Sequence, residues 1–131
     1  MDIPFNIRGT ETILIAEDEE LLRKLLEQLL VGQGYTVVSA QDGAEALTVY
    51  ARHQKEIALV ISDNGMPKLS GIELVTALKA INPEVKVIIS SGFIDNTLRE
   101  DMVSVGVTDY IMKPFAVFEI LTKLRRVLEM E

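Results

Sequence analysis

The sequence contains no cysteine and only one histidine among its 131 residues. The absence of thiols excludes disulfides, thiolate zinc sites and thiol redox chemistry, and it fits a reducing, cytoplasmic setting. No apolar run approaches the roughly 18 residues that a membrane span needs. The N-terminal residues also lack the basic and then apolar profile of a signal peptide. We therefore expect a cytoplasmic protein without membrane insertion.

Basic residues are in the minority. Thirteen lysines and arginines stand against 20 acidic residues, which gives a formal net charge of -7 at pH 7. Such a chain repels phosphate backbones, so we expect no direct nucleic-acid binding, and cations or basic protein surfaces are more natural partners. Apolar residues make up 48% of the chain, too many for a disordered segment, and the length suits one domain with one core.

Five short apolar runs, rich in β-branched residues, predict strands. They are residues 12–16, 35–39, 58–62, 85–90 and 108–112. Most of these runs are nearly continuous and do not alternate with polar residues. That pattern is typical of strands covered on both faces, as in a parallel sheet.

A helical pattern follows each of the five runs. Asp42 is expected to cap the second helix, and Ser70 with Glu73 matches the capping box that opens the third. The fourth helix, Asn96 to Val105, is more polar than the others. The predicted inward faces are Leu22, Leu25, Leu26 and Leu29; Leu47, Tyr50 and Ala51; Leu74, Leu78 and Ile81; Leu98, Met102 and Val105; and Val117, Ile120, Leu121, Leu124 with Val127 or Leu128.

The alternation of strand and helix defines an α/β protein with helices on both faces of a parallel sheet. At this length it predicts a flavodoxin-like, doubly wound (βα)5 three-layer sandwich with strand order 2-1-3-4-5. A closed eight-fold barrel would need about 250 residues. We expect one domain over residues 11–131, preceded by an N-terminal arm or linker stub at residues 1–10.

Polar side chains follow four of the five predicted strands. These are Glu17 and Asp18 after the first, Asp63 after the third, Ser91 after the fourth and Lys113 after the fifth. Each has an ordinary structural explanation, such as a helix N-terminus for the acidic pair or a turn for the aspartate. In the predicted strand order, however, all four strand ends are neighbours at one edge of the sheet. The sequence therefore predicts that these groups converge.

Three clustered carboxylates with one lysine leave an excess of negative charge. Two unit charges about 4 Å apart repel by roughly 4 kcal/mol at an effective dielectric constant near 20. A bound cation is therefore implied. All the available ligand atoms are oxygens, which favours Mg²⁺ over zinc.

The chain resembles the response-regulator receiver domains of two-component signalling from about Thr10 to its C-terminus. The motifs that carry the resemblance are I-L-I-A-E-D-E-E (13–20), D-G-A-E-A-L (42–47), D-N-G-M-P-K-L-S-G (63–71), V-I-I-S-S-G-F (87–93) and D-Y-I-M-K-P-F (109–115). The acidic pair, Asp-x-x-x-Pro, Ser-Gly and Lys-Pro occur in order, each after its strand. Together they form a highly specific signature.

The resemblance implies a phosphoacceptor and a metal site. Asp63 falls at the position of the phosphoacceptor aspartate. Asp18, Asp63 and the backbone carbonyl of Gly65 fall where the family binds Mg²⁺ or Mn²⁺. Glu17 matches the other acidic position, which usually reaches the metal through water.

The resemblance also implies a switch. Ser91 takes the place of the hydroxyl residue that binds the phosphoryl group once it has formed, and Lys113 that of the lysine that pairs with it. Tyr110 matches the aromatic residue whose rotamer reports activation. By the same analogy the peptide bond between Lys113 and Pro114 is expected to be cis.

The function that the resemblance implies is Mg²⁺-dependent transfer of a phosphoryl group to Asp63. The donor is a phosphohistidine of a sensor histidine kinase or phosphotransfer domain, and the acceptor is a signalling module, not an enzyme. The face of the fourth helix, fifth strand and fifth helix would then change and signal to a downstream protein partner, and a phosphorylation-dependent homodimer is a further expectation. His53, predicted to be a solvated residue at a helix end, is not expected to be a phosphodonor.

Alternatives remain at this point. A phosphorylation-independent pseudo-receiver that acts as an interaction module is one. A Mg²⁺-dependent phosphatase would need a second acidic residue at position 65, where this chain has glycine. A flavodoxin would need a phosphate-binding loop after the first strand, where this chain has E-D-E-E. Ser62 and the G-T-E-T-I-L stretch (9–14) resemble receivers of hybrid sensor kinases. A standalone regulator and a module of a longer protein both stay open.

Overall fold

The computed structural model describes residues 7–130, and residues 1–6 of the predicted arm lie outside this range. Five strands and five helices alternate along the described chain. They are β1 (Thr12–Ala16), α1 (Glu20–Gly32), β2 (Thr36–Ala40), α2 (Gly43–His53), β3 (Ile57–Asp63), α3 (Gly71–Ile81), β4 (Val87–Ser91), α4 (Asn96–Val105), β5 (Asp109–Met112) and α5 (Val117–Leu128). All strand pairs are parallel, in the order β2-β1-β3-β4-β5. The predicted flavodoxin-like fold is confirmed.

The core has two halves, one on each face of the sheet. Helices α2, α3 and α4 cover one face, where Tyr50, Leu74 and Met102 pack on the strands. Helices α1 and α5 cover the other face with residues such as Leu30 and Leu124. Because alternate residues of the central strands enter opposite halves, both sets must be apolar, which explains the nearly continuous strand runs.

Three residues of the predicted inward helix faces are exposed. Leu25 of α1 is 58% exposed, and Ala51 of α2 and Val117 of α5 also face solvent. Leu25 and Ala51 lie at the flanks of their apolar stripes, about 100° of rotation from the buried Leu26 and Tyr50, and Val117 is the first residue of α5. Leu25 and Val117 line a shallow apolar groove between α1 and the start of α5 and do not enter the core.

The predicted helix starts agree with the structure. The Asp42 side chain accepts a hydrogen bond from the Glu45 amide at 2.7 Å, and Ser70 with Glu73 forms both bonds of the capping box. His53 is exposed at the end of α2, as predicted. No helix of residues 7–130 combines the length and the apolar character that crossing a membrane would require.

The loop between β3 and α3 is held tightly at the carboxyl edge of the sheet. The Asn64 amide donates to the Ser90 carbonyl at 2.9 Å, and the Gly71 amide donates back to the Asn64 carbonyl at 3.1 Å. A Cβ atom at position 71 would lie 2.9 Å from the Asn64 Cα and from the Ile89 side chain. Glycine is therefore needed there for the loop to close, and the closed loop fixes the end of β3.

At the amino ends of the strands, an ion pair joins α5 to the residues before β1. The Arg125 guanidinium binds both carboxylate oxygens of Glu11, at 2.8 and 3.0 Å. It also donates to the Tyr35 hydroxyl and to the Arg8 carbonyl. The hydrogen bond from Arg125 lowers the pKa of Glu11 below its ordinary value. The described part of the predicted arm thus lies against the domain.

We expect Glu11→Gln to lower the free energy of unfolding by about 1 kcal/mol at pH 7, because the two-pronged ion pair is lost. A carboxyl whose pKa is depressed in the folded state stabilises the fold above its unfolded pKa, about 4.3, and ceases to do so as the pH falls through the folded pKa. The difference from wild type should therefore shrink between pH 7 and pH 3 in urea denaturation. Glu129→Gln removes a more exposed partner of the same guanidinium and should change less. An equal loss of unfolding free energy at pH 7 and pH 3 would contradict a stabilising ion pair between Glu11 and Arg125.

Candidate functional site

Three carboxylates meet at the carboxyl edge of the sheet. Glu17 and Asp18 directly follow β1, and Asp63 is the last residue of the neighbouring strand β3. One carboxylate oxygen from each lies within 4.8 Å of the other two. Glu17 is only 1% exposed and Asp63 only 9% exposed, while Asp18 faces solvent. The structure thus brings the acidic groups predicted from the strand order into one hollow.

Lys113 lies between two of these carboxylates. Its Nζ atom is 2.9 Å from Glu17 Oε1 and 3.0 Å from Asp63 Oδ1, and its side chain is 19% exposed. Burial lowers the pKa of Lys113, but the bonds to Glu17 and Asp63 outweigh it and raise the pKa above its ordinary value. Burial raises the pKa of Glu17, against the bond from Lys113. One ammonium group faces three carboxylates, so negative charge remains in excess.

The donor set fits a small divalent cation. Mg²⁺ binds oxygens at 2.0–2.1 Å, so two ligands on opposite sides of one ion are about 4.2 Å apart. A spread of 4.8 Å therefore suits a single ion if one carboxylate acts through a water molecule. Glu17 suits the position that reaches the ion through water, because both of its carboxylate oxygens already accept hydrogen bonds within the protein.

Glu17 also supports the start of α1. Its Oε2 atom accepts a hydrogen bond from the Glu19 amide at 3.1 Å, and Glu19 makes no side-chain cap of its own. Arg23 donates to the Glu17 carbonyl at 2.8 Å and so fixes the turn between β1 and α1. The ordinary explanation of Glu17 as a residue that supports a helix start is therefore correct, and its carboxylate also lies beside Lys113 and Asp63. Sequence reasoning missed Arg23, since no local pattern relates it to Glu17.

Ser91 does not contact the acidic groups in this structure. Its hydroxyl donates to the Phe93 carbonyl at 2.8 Å and accepts from the Phe93 amide at 3.3 Å. Phe93 itself is 73% exposed. The Lys113 amide donates to the Ser91 carbonyl at 2.8 Å, which joins the ends of β4 and β5 beside the carboxylates.

Two further predicted residues lie near the hollow. A Cβ atom at Gly65 would lie 3.8 Å from Asp63 Oδ2, so Gly65 borders the carboxylate without filling the space above it. The peptide bond between Lys113 and Pro114 is cis. Tyr110 lies on β5, farther from the carboxylates, where Arg99 of α4 and Lys123 of α5 contact it. Neither cation was expected from the sequence, because these contacts join separate elements.

The parallel sheet with an acidic hollow at the carboxyl end of its first and third strands defines a class of signalling domain. The model of the response regulator receiver domain family matches residues 13–125, and the chain belongs to this family. Members of this family are signalling phosphoacceptors, and receiver domains bind Mg²⁺ in such an acidic pocket. The resemblance read from the sequence motifs is thereby confirmed.

Individual relatives differ in length. The chain is 31% identical to the chemotaxis protein CheY of Bacillus subtilis over 88% of this chain and 96% of that protein. It is 30% identical to the sensor kinase CckA of Brucella abortus over 95% of this chain but 13% of the kinase. The chain spans about half the length of several other regulators that it matches.

A solved structure shows the likeness in three dimensions. The receiver domain of the sensor histidine kinase PA1611 from Pseudomonas aeruginosa superposes with a TM-score of 0.84 at 25% identity. The match covers 93% of this chain and 100% of that domain. That structure has a magnesium ion coordinated in its active site cleft.

Proposed function

We propose that this domain accepts a phosphoryl group on Asp63 from the phosphohistidine of a sensor histidine kinase or a phosphotransfer domain. The observation that carries the proposal is the placement of the Asp63 carboxylate. It is nearly buried, 3.0 Å from the Lys113 ammonium and within 4.8 Å of two further carboxylates. A merely structural turn residue would not need an ammonium group and two like charges around it.

The metal ligands that we propose are Asp18, Asp63 and the Gly65 carbonyl, with Glu17 acting through water. Bound Mg²⁺ or Mn²⁺ would supply positive charge to the phosphoryl oxygens. The convergence of oxygen ligands with an excess of negative charge supports this set. Nucleophilic attack and hydrogen bonding to the phosphoryl group would be provided by side chains of the domain itself.

The transfer itself is a single displacement at phosphorus. A carboxylate oxygen of Asp63 attacks, the new P–O bond forms, and the P–N bond to the donor histidine breaks. The imidazole keeps the electron pair of that bond and takes up a proton. Because the transition state is loose, catalysis consists mainly of positioning and of charge stabilisation. Lys113, already 3.0 Å from Asp63, is placed to donate to a phosphoryl oxygen.

The response to phosphorylation is proposed to begin at Ser91. Its hydroxyl is bound within its own loop, so turning toward the phosphoryl group would exchange the Phe93 carbonyl for a stronger, charged acceptor. Tyr110 would then move into the space that Ser91 leaves. The face formed by α4, β5 and α5 would change and bind a downstream partner or a second copy of the chain. Val103 of α4 and Met112 of β5 are exposed apolar side chains on these elements, which supports a docking role.

The domain proposed is the range 11–131, within a cytoplasmic protein. Its likeness to a small part of the sensor kinase CckA supports a receiver module in a hybrid kinase, and its likeness to nearly all of CheY supports a standalone regulator.

Incubation with acetyl phosphate tests the proposal. With Mg²⁺ the wild type should gain one phosphate by intact-mass spectrometry, and with a chelator in place of Mg²⁺ it should gain almost none. Asp101→Asn, which neutralises an exposed carboxylate on α4, should behave as wild type. A protein that binds Mg²⁺ but gains no phosphate from acetyl phosphate or from a phosphorylated kinase would be a pseudo-receiver, and the proposal would fail.

A further inference from the structure

Tyr110 is held between two cations from neighbouring helices. The Arg99 guanidinium of α4 lies 5.5 Å from the centre of the tyrosine ring, and its Nη1 atom donates to the Tyr110 hydroxyl at 3.2 Å. The Lys123 ammonium of α5 lies 5.0 Å from the same ring. The two helices and the strand of the proposed output face thus meet at one side chain.

The two cations hold different parts of the tyrosine. Lys123 donates to the Tyr110 backbone carbonyl at 2.6 Å and pairs with Asp109 at 3.7 Å, so it fixes the strand wherever the ring points. Arg99 binds the hydroxyl at the tip of the ring. A change of the tyrosine rotamer would therefore break the hydrogen bond from Arg99, whereas Lys123 would lose only its contact with the ring face and keep its bond to the backbone.

Helix α4 has few other attachments. Met102 is its one buried residue among the described side chains, while Leu98 and Val105 are partly buried. A shallow cavity of about 250 Å³ lies between α4 and β5, lined in part by Met102, Val107 and Tyr110. A helix with one buried side chain beside a cavity has room to move, so a polar contact to β5 worth about 1 kcal/mol can shift its position.

We propose that Arg99 is a latch, a positioning residue that holds the Tyr110 ring as seen here and thereby favours the unphosphorylated conformation. The inference rests on the proposed function, because it concerns the equilibrium that phosphorylation of Asp63 would shift. In the structure Ser91 is bound to Phe93 and Lys113 to the carboxylates, which is the arrangement proposed above for the domain before phosphorylation. A contact made in one of two conformations shifts the equilibrium by its difference in free energy. Loss of the latch should therefore make the activated conformation more accessible.

Beryllofluoride, which mimics the phosphoryl group on an aspartate, provides the test. With saturating Mg²⁺, Arg99→Met should bind beryllofluoride about three- to tenfold more tightly than wild type, as expected for loss of one polar contact at the surface. The affinity for Mg²⁺ alone should not change, since Arg99 lies away from the carboxylates. Isothermal titration calorimetry measures both affinities on the same samples.

Further variants test whether Arg99 acts through the tyrosine hydroxyl. Tyr110→Phe removes the acceptor and should tighten beryllofluoride binding in the same direction. The double variant should gain little beyond either single change, because both remove one contact. Arg99→Lys keeps a cation near the ring and should lie between wild type and Arg99→Met. Arg52→Met makes the same charge change on the exposed surface of α2 and should bind as wild type.

The possible results distinguish a failure of the proposed role of Arg99 from a failure of the proposed phosphoacceptor function. Wild type that binds beryllofluoride, with Arg99→Met unchanged or weaker, would overturn the latch and leave the proposed function standing. Fully additive effects of the two single changes would overturn its action through Tyr110. Wild type that binds Mg²⁺ but neither binds beryllofluoride nor accepts phosphate would overturn the proposed function, and the latch with it.

Discussion

Lys113→Met is expected to slow phosphorylation of the domain by acetyl phosphate about 100- to 1,000-fold. The variant keeps most of the length of the side chain but loses the ammonium group that lies 3.0 Å from Asp63. Removing one pre-positioned donor from a site where charge develops typically costs a rate factor of about 10² to 10³. Initial rates of phosphate incorporation at saturating Mg²⁺ measure the effect directly.

The same variant should also be less stable without metal. Glu17 is almost fully buried and would lose its ammonium partner, so we expect the free energy of unfolding to fall by up to about 3 kcal/mol. Lys55→Met removes an exposed lysine before β3 and serves as the control for charge. If Lys113→Met were phosphorylated within threefold of the wild-type rate, Lys113 would be a structural counterion and not part of the transfer site.

Asp63→Asn is expected to abolish phosphorylation. The amide is nearly the same size as the carboxylate but cannot act as the nucleophile, so no phosphate should be found by mass spectrometry even after long incubation. The variant should also bind Mg²⁺ more weakly, because a charged ligand is lost. Thermal unfolding with and without Mg²⁺ reports that second effect.

Without metal, Asp63→Asn should be at least as stable as wild type. The change relieves repulsion among three carboxylates, and Lys113 keeps Glu17 as its partner at 2.9 Å. Asp101→Asn again provides the matched neutralisation of a distant carboxylate. A loss of several kcal/mol in the metal-free variant would instead make Asp63 a structural residue of the turn after β3.

Much of the fold follows from local patterns in the sequence. The continuous apolar runs identify all five strands to within two residues, because strands covered on both faces leave no room for polar side chains. The caps at Asp42 and Ser70 also follow, since capping involves residues only three positions apart. The helix faces are less well predicted. Leu25 and Val117 fit the helical spacing, yet the rotation and position of each helix leave them exposed.

The candidate site is predictable for a different reason. In a parallel sheet the carboxyl ends of neighbouring strands lie side by side, so Glu17 after β1 and Asp63 of β3 meet once the strand order is known. The long side chain of Lys113 reaches them from β5, across the end of β4. The strand order was predicted from the alternation of strands and helices and from the chain length, whereas the roles of the residues came from the family resemblance. Contacts such as Arg99 with Tyr110 or Arg125 with Glu11 depend on how separate elements pack. No local spacing encodes them.

The most direct test of the account is a crystal structure of the domain with Mn²⁺ and beryllofluoride, with anomalous data collected at the manganese edge. We expect one manganese peak about 2.0–2.2 Å from oxygens of both Asp18 and Asp63. We also expect beryllium bound to an Asp63 oxygen, with Lys113 and Ser91 contacting the fluorines. A hollow without manganese, or a metal held by Asp18 with Asp63 turned away, would contradict the claim that these strand ends form one phosphoacceptor site.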